Sequence, residues 1–402
     1  MPNKIDKLYS ILLVTVAFIL GSAIYADDTT LPLHSIAPML KLVAYACVAM
    51  VLMLFLFVSF KRKVIRSSGF VYACLSILSY FVINTIHIYG DTHINFSFAA
   101  IVLLLLFVLA SRIQQRLSYI YFKKGLVIIG IISLLCYFSA IFHIGLPYSI
   151  EPYYAPYPGV EYLDFKISVI CREYFLLRSC GVFNEPGFFG TILALVLCAE
   201  NLNLRNRDNL ILFISGIFTF SLAFFVIICM AFFMRMKNKK KLIIPSLFFL
   251  CFLLYIQSLN FNSLPDTTIN HFLSRLQYVE GIGFAGDNRT SYGLEKVLEN
   301  FWNANDFWWG FGKGYSVEKA GGSLSFLTYV IDFGIIGCSI FWGTLFISAL
   351  IATRKNKRAL VFLLCFVFSV YQRPHIFNLH YFIVLFGGIQ YCLDNSQLKL
   401  EE

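Results

Sequence analysis

The sequence predicts an all-α fold: a polytopic helical membrane protein with about 12 transmembrane helices and two large outer loops that contain short amphipathic helices. The chain of 402 residues is 59% hydrophobic and only 13% charged, about half the charged fraction of a soluble domain. Apolar runs of about 20 residues, the length that crosses a hydrocarbon core, recur throughout. Lys and Arg cluster between these runs, as is typical of loops that stay on the cytoplasmic side. We therefore treat residues 1–402 as a single integral membrane domain.

The spans of the first half follow from the apolar runs, with the N-terminus placed inside. The first run follows Lys4 and Lys7 and lacks a cleavage site of small residues, so we interpret it as a retained span. The predicted spans lie at 8–25, 39–60, 69–89, 94–110, 125–146 and 187–200. With this order, the basic segments around Lys61 and Arg112–Lys124 are loops on the inside, and residues 147–186 form a first outer loop.

The segment from Leu210 to Phe233 resembles one ordinary span, but a single crossing would put the basic run Arg235–Lys241 outside. Two short helices that cross twice, or a segment that dips in and returns, restore the charge pattern. We favour the double crossing. The remaining spans are then 242–259, 324–350, 359–372 and 377–393, with a second outer loop at 260–323 and both termini inside.

The first outer loop ends in a polar stretch, "RSCGVFNEPGFFG", directly before an apolar helix. Pro186 suits the first turn of that helix, so Asn184 and Glu185 are in one interpretation ordinary helix-start residues. In the other, Glu185 needs a cationic partner at the membrane surface, which Arg178 could provide, and serves as a general base. Arg172 is a further candidate for binding an anion.

The same loop raises two more alternatives. Its many Tyr residues, in "LPYSIEPYYAPYPGVEYLDF", are either interfacial anchors or surfaces on which sugar rings stack. Cys171 and Cys180 are either free thiols or a disulfide, if the loop lies in an oxidising compartment.

The second outer loop contains two helical patterns, at Ile269–Val279 and Leu294–Trp302. Arg289 precedes the second, next to the natural cap residues Thr290 and Ser291. A cation there opposes the helix dipole unless an anion binds, so Arg289 is either an anion-binding residue or a surface residue paired with Asp287. Arg275 is a second candidate. The glycines of "WWGFGKGYS" lack the strand and helix of a nucleotide loop, and we expect them to permit close backbone packing.

Several arginines and one acid, Glu185, are therefore predicted on the outer side. The sequence shows no nucleotide-binding motif, no zinc-binding pattern and no Ser/His/Asp catalytic arrangement. This combination predicts a reaction on a substrate that is already activated as a membrane-borne diphosphate. We expect no metal, no cofactor and no nucleic-acid partner.

The stretch "RSCGVFNEPGFFG", and the later "NRTSYGLEKVLENFWNANDFWWGFGKGY" running to "GGSLSFLTYVIDFGIIG", resemble the O-antigen polymerase (Wzy-type) family. That family also has an Arg-x10-Gly spacing in its paired loops, which Arg275 and Gly286 satisfy. Neither Arg172 nor Arg178 has a Gly at that offset, so the first-loop copy has diverged.

The resemblance implies a glycosyltransferase of the bacterial inner membrane, multi-pass, with its active face in the periplasm. It would join undecaprenyl-pyrophosphate-linked oligosaccharide units, one serving as donor and one as acceptor, in contact with membrane lipid; a chain-length regulator protein is a further candidate partner. When the functional residues of the family are carried over to the matching positions of this sequence, Glu185, Arg178 and Arg289 would be catalytic. The substrate-binding set is Arg172, Arg275, Asn184 and Arg373, the last in the outer turn "QRPHIF".

Two alternatives remain. The related O-antigen ligases typically carry a His just before the span that begins like "GSLSFLTYVIDFGIIG", where this chain has Gly321 and Gly322. A flippase for lipid-linked sugars would have charged residues inside many spans, whereas Lys41 and Asp332 are almost the only ones here.

Overall fold

The computed structural model describes residues 3–21, 37–61, 69–87, 98–152, 160–173, 176–236, 251, 254–259, 268–279, 283–284, 292–320 and 325–397. These residues are mostly helical. Two of the described helices, Arg112–Phe142 and Phe326–Ala352, are long and apolar enough to cross a membrane, and five further apolar helical segments are shorter.

The helices before the first outer loop lie where the apolar runs predict them. They are α1 (Lys4–Gly21), α2 (Ala37–Lys61), α3 (Phe70–Ile86), α4 (Phe98–Leu109) and α5 (Arg112–Phe142). The basic segment Arg112–Lys124 is not a loop, contrary to the prediction. It is the first part of the 31-residue α5, which begins at a capping box: the Ser111 hydroxyl accepts from the Gln114 N–H, and the Gln114 side chain accepts from the Ser111 N–H. This pair satisfies the first helical amides and starts the helix before the basic residues.

The described residues are mostly helical, as predicted, but the first outer loop contains a β-sheet where short helices were expected. Its four antiparallel strands, in the order β1-β2-β3-β4, are β1 (Ser149–Pro152), β2 (Val160–Asp164), β3 (Val169–Glu173) and β4 (Leu176–Gly181). The turn between β2 and β3 depends on Asp164, whose carboxylate accepts from the Lys166 N–H at 2.7 Å while Lys166 has a φ of 68°. The β-branched Val169 and Ile170 and the aromatic Tyr162 favour the strands that it joins.

The sheet packs on the end of α5. The Ser133 and Ser179 hydroxyls share a hydrogen bond, and the Tyr137 hydroxyl donates to the Leu177 carbonyl at 3.2 Å. Cys171 and Cys180 lie together in a small hydrophobic cluster of the sheet and are free thiols, not a disulfide. Burial, and then the neighbouring Cys171, raise the pKa of the Cys180 thiol well above its ordinary value.

The centre of the molecule is α6 (Pro186–Ala199), in which every residue except Phe188 is buried. A helix that is apolar on all sides belongs in the interior of a bundle. The surrounding helices instead expose large apolar side chains on their outer faces; Leu42, Met53, Ile128 and Leu135 are each at least 60% exposed.

The segment after α6 forms two helices, α7 (Arg207–Ile217) and α8 (Leu222–Arg235), as the charge pattern predicts. The turn between them lies beside the sheet, because the Ser179 N–H donates to the Phe218 carbonyl at 2.9 Å. The far end of α8 lies at the other end of α6, where Arg235 donates to the Cys198 carbonyl. The segment therefore runs to the sheet and back.

The second outer loop contains short helices, as predicted. They are α9 (Thr268–Ser274), α10 (Tyr292–Asn303) and α11 (Tyr315–Ala320), with a small hairpin of β5 (Tyr278–Val279) and β6 (Gly283–Phe284) after α9. The first pattern was expected to stay helical to Val279, which lies in β5 instead. Of the predicted span 242–259, residues 254–258 are helical and most of the others lie outside the described residues.

The glycine-rich segment packs closely, as the sequence predicts, and its neighbour is a break in α12 (Phe326–Ala352) that the sequence did not predict. Gly334 has a φ of 70° inside this helix, and a Cβ on it would lie 2.4 Å from the Trp308 carbonyl oxygen. The carboxylate of Asp332 is not an isolated charge, since it accepts from the N–H groups of Gly314 and Ser316 at 2.9 Å each. These bonds join the second outer loop to the bundle.

Three helices complete the chain: α13 (Lys357–Gln372), α14 (Leu379–Phe382) and α15 (Gly388–Gln397), the last two joined through a π-helical segment, Ile383–Gly387. The two ends of the bundle differ in charge. We call the end at the start of α6 the sheet end and the opposite end the basic end, because Lys123, Arg235 and Arg358 lie there. Arg358 donates to the Ala199 carbonyl at 2.8 Å, and Lys123 pairs with Glu200 at 3.0 Å.

Candidate functional site

The first part of the candidate site is the start of α6. Glu185 is its N-cap residue, with extended backbone angles, and Pro186 occupies the first helical position as predicted. The Glu185 side chain makes no capping hydrogen bond. Its Oε2 lies 2.6 Å from Nη2 of Arg373, and the side chains are 34% and 14% exposed. The cation that pairs with Glu185 is therefore Arg373, from a distant turn, and not the Arg178 that the sequence suggested.

The residues after Glu185 make room for Arg373. A Cβ on Gly187 would lie 2.3 Å from Nη2 of Arg373, so only glycine allows the guanidinium to approach the helix this closely. The guanidinium carbon of Arg373 lies 6.0 Å from the centre of the Phe188 ring, within cation–π range. The sequence Glu-Pro-Gly-Phe thus supplies an anion, a helix start, a space and an aromatic surface for one arginine.

The turn that carries Arg373 is held by three other helices. His375 Nδ1 lies 2.6 Å from the Tyr329 hydroxyl of α12, and the Phe377 ring stacks on Tyr80 of α3 with 4.0 Å between centroids. Buried His380, at the start of α14, contacts the Phe188 ring edge-on. These contacts fix the position of Arg373 relative to α6.

The second part of the site lies where the sheet meets the α7–α8 turn. Oε2 of Glu173 contacts Nη1 of Arg178 at 3.0 Å and Nη1 of Arg275 at 3.3 Å. Arg178 also donates to the carbonyls of Thr219 and Phe220, at 3.2 and 3.4 Å. We call Glu173, Arg178 and Arg275 the Glu173 bridge. It joins the two outer loops, which are far apart in sequence, through one carboxylate oxygen.

The other predicted site residues have different positions. Arg172 lies opposite Glu161 in the β2–β3 register and forms an ion pair with it on the sheet. Asn184 is exposed, and its backbone carbonyl accepts a hydrogen bond from the Tyr162 hydroxyl. Arg289 and Gly286 lie outside the described residues, as do Thr290 and Ser291, although α10 begins at Tyr292, directly after the predicted cap.

Sequence reasoning missed the importance of Glu173. The signal that could have found it is the alternation within a β-hairpin: Cys171 pairs with Arg178, which places Glu173 and Arg178 on the same face of the sheet. Because the sequence analysis did not predict the hairpin, nothing distinguished Glu173 from the other charged residues of the loop.

Chemically, the sheet end offers guanidinium groups fixed by protein contacts, and the carboxylates of Glu173 and Glu185, which are each about one third exposed. Planar guanidinium groups bind phosphate oxygens in a bidentate manner. Among the described residues, no cluster of His, Cys, Asp and Glu side chains has the arrangement of a metal site. The arrangement is suited to binding an anion next to a carboxylate.

Comparison with protein-family models, with curated proteins and with solved structures found no match for this chain.

Proposed function

We propose that the protein is a multi-pass protein of the bacterial inner membrane, with about 12 spans, whose sheet end faces the periplasm. The outward-facing apolar side chains of the peripheral helices support a lipid environment. The position of Lys123, Arg235 and Arg358 supports the orientation, since basic residues favour the cytoplasmic side.

Within that setting the protein acts as an O-antigen polymerase. It is a glycosyltransferase that transfers a growing oligosaccharide from one undecaprenyl pyrophosphate to the terminal sugar of a second lipid-linked unit. The observation that carries this proposal is the Glu185–Arg373 pair at the start of α6, on the same end of the bundle as the Glu173 bridge. A carboxylate and several fixed cations at one surface are what this transfer requires.

In this mechanism a hydroxyl of the acceptor sugar attacks the anomeric carbon of the donor. The bond from that carbon to the diphosphate oxygen breaks, and its electron pair leaves with the lipid diphosphate. Arginines at the sheet end stabilise the negative charge that develops on the leaving group. Glu185 accepts the proton of the attacking hydroxyl, with its carboxylate oriented by Arg373.

The test is replacement of Glu185 by Ala in the native host, followed by electrophoresis of the lipopolysaccharide. We expect core carrying a single repeat unit, because transfer to core continues while polymerisation stops. Arg289→Ala should give the same result. A matched control is Glu318→Ala, an exposed acid elsewhere in the second outer loop, which should leave the full ladder.

Other band patterns would contradict the proposal. Loss of even the single capped unit would indicate a flippase. Long polymer that stays on the lipid carrier and never reaches core would indicate a ligase. A full ladder from Glu185→Ala would remove Glu185 from the mechanism.

A further inference from the structure

The Glu173 bridge has an unusual geometry for a structural ion pair. One oxygen of the Glu173 carboxylate contacts two guanidinium groups, one from each outer loop. Elsewhere on the sheet, the Glu161 carboxylate contacts one guanidinium group, that of Arg172. Both carboxylates are about equally exposed, at 34% and 33%, so solvent access does not distinguish them.

Arg178 does not depend on Glu173 for its position. Its side chain is only 11% exposed, and two of its nitrogens donate to the Thr219 and Phe220 carbonyls. If Glu173 moved away, these two bonds would still hold the guanidinium in place. Glu173, in contrast, is one third exposed, which leaves its side chain a path towards solvent.

We propose that Glu173 occupies the place of a diphosphate between Arg178 and Arg275, and that the diphosphate displaces it on binding. The lipid-linked form of the ligand rests on the proposed function, whereas the diphosphate itself follows from two guanidinium groups that contact the same carboxylate oxygen. A diphosphate diester carries two negative charges and several acceptor oxygens, so it matches two guanidinium groups better than one carboxylate does. Glu173 is then a competitor that occupies the two guanidinium groups until the ligand displaces it.

This role predicts an effect opposite in sign to that of a purely structural residue. Removing the charge of Glu173 removes a competitor for the two arginines, so an anion should bind more tightly. Loss of a structural ion pair would instead loosen the site and weaken binding. The affinity for inorganic pyrophosphate therefore decides between the two roles.

The experiment is isothermal titration of the purified full-length protein in detergent micelles with inorganic pyrophosphate, at fixed low ionic strength. We expect Glu173→Gln to bind pyrophosphate about fivefold more tightly than the wild type, since a partly exposed ion pair competes by about that factor. Glu161→Gln, which changes the matched pair, should not alter the affinity. Adding Arg275→Ala to Glu173→Gln should abolish the gain.

Glu173→Asp serves as the second variant, because it keeps the charge but shortens the side chain. It should lie between the wild type and Glu173→Gln in affinity. Unchanged or weaker binding in both Glu173 variants, with thermal unfolding like that of the wild type, would overturn the proposal.

A further titration distinguishes the source of the ligand. A short prenyl diphosphate in the same micelles should bind more tightly than pyrophosphate if the natural ligand is a lipid, and equal affinity would overturn the lipid assignment. These titrations require no polymerisation. Tighter binding by Glu173→Gln together with loss of the single capped unit in Glu185→Ala would therefore retain the diphosphate site and reject the polymerase.

Discussion

The two ends of α6 carry ion pairs of different kinds. At the basic end, Arg358 and Arg235 donate to the last carbonyls of the helix, where cations complement the helix dipole. The nearby Lys123–Glu200 pair is almost fully buried, with side chains 9% and 5% exposed. At the sheet end, Arg373 lies close to the helix N-terminus, where the dipole disfavours a cation, and its partner Glu185 is one third exposed.

One helix therefore has a buried ion pair at one end and a partly exposed ion pair at the other. At the basic end, the Lys123–Glu200 pair is closed off from water, as a structural ion pair is. The sheet end holds a guanidinium where the helix field opposes it, and leaves its carboxylate accessible. An anionic ligand would be favoured there by both the helix and the arginine.

The largest effect on stability is expected at the basic end, from Lys123→Ala. This change leaves Glu200 buried without its cation, which costs about 3–5 kcal/mol for a buried pair. The change should appear as a lower midpoint in denaturant unfolding in detergent micelles. Lys124→Ala, at an exposed neighbouring position on the same helix, is the control and should unfold like the wild type. Equal stability of the two variants would contradict a structural role for the basic end.

A smaller effect, on activity and not on stability, is expected at the sheet end from Gly187→Ala. The added methyl group would meet the tip of the Arg373 side chain, which can move away at little cost in folding free energy. The displaced guanidinium no longer orients Glu185, so we expect polymerisation in a reconstituted assay to fall about tenfold.

The control for that variant is Gly343→Ala on α12, where an added Cβ meets nothing within 4 Å. Alanine is the better helix former, so this variant should keep full activity and gain up to about 1 kcal/mol of stability. Activity of Gly187→Ala equal to that of Gly343→Ala would show that the Glu185–Arg373 geometry does not matter.

The sequence predicted the helices because each needs only a local apolar run, and it predicted the two helices α7 and α8 because one crossing would misplace the basic run after Phe233. It did not predict the sheet. The Tyr- and Pro-rich loop lacks clear strand periodicity, although each strand pairs with its neighbour along the chain. The helix start at Glu185 was also predictable, from Pro186.

The partners of the site residues were not predictable. Glu185 pairs with Arg373 because the turn after α13 folds back onto α6. Arg178 and Arg275 contact the same carboxylate because α9 packs against β4. Such contacts depend on tertiary packing, which no local pattern in the sequence records. The sequence identified the arginines at the sheet end but not the carboxylate, Glu173, that joins two of them.

The central claim is that the two ends of α6 face opposite sides of a membrane, with the sheet end outside. The most direct measurement is labelling of single introduced cysteines with a membrane-impermeant thiol reagent in spheroplasts, in a background where the exposed Cys229 and Cys251 are replaced by Ala. The account predicts that Asn184→Cys is labelled in intact spheroplasts and that Asn203→Cys, exposed beyond the other end of α6, is labelled only after permeabilisation. Labelling of position 203 and not of position 184 in intact spheroplasts would contradict it.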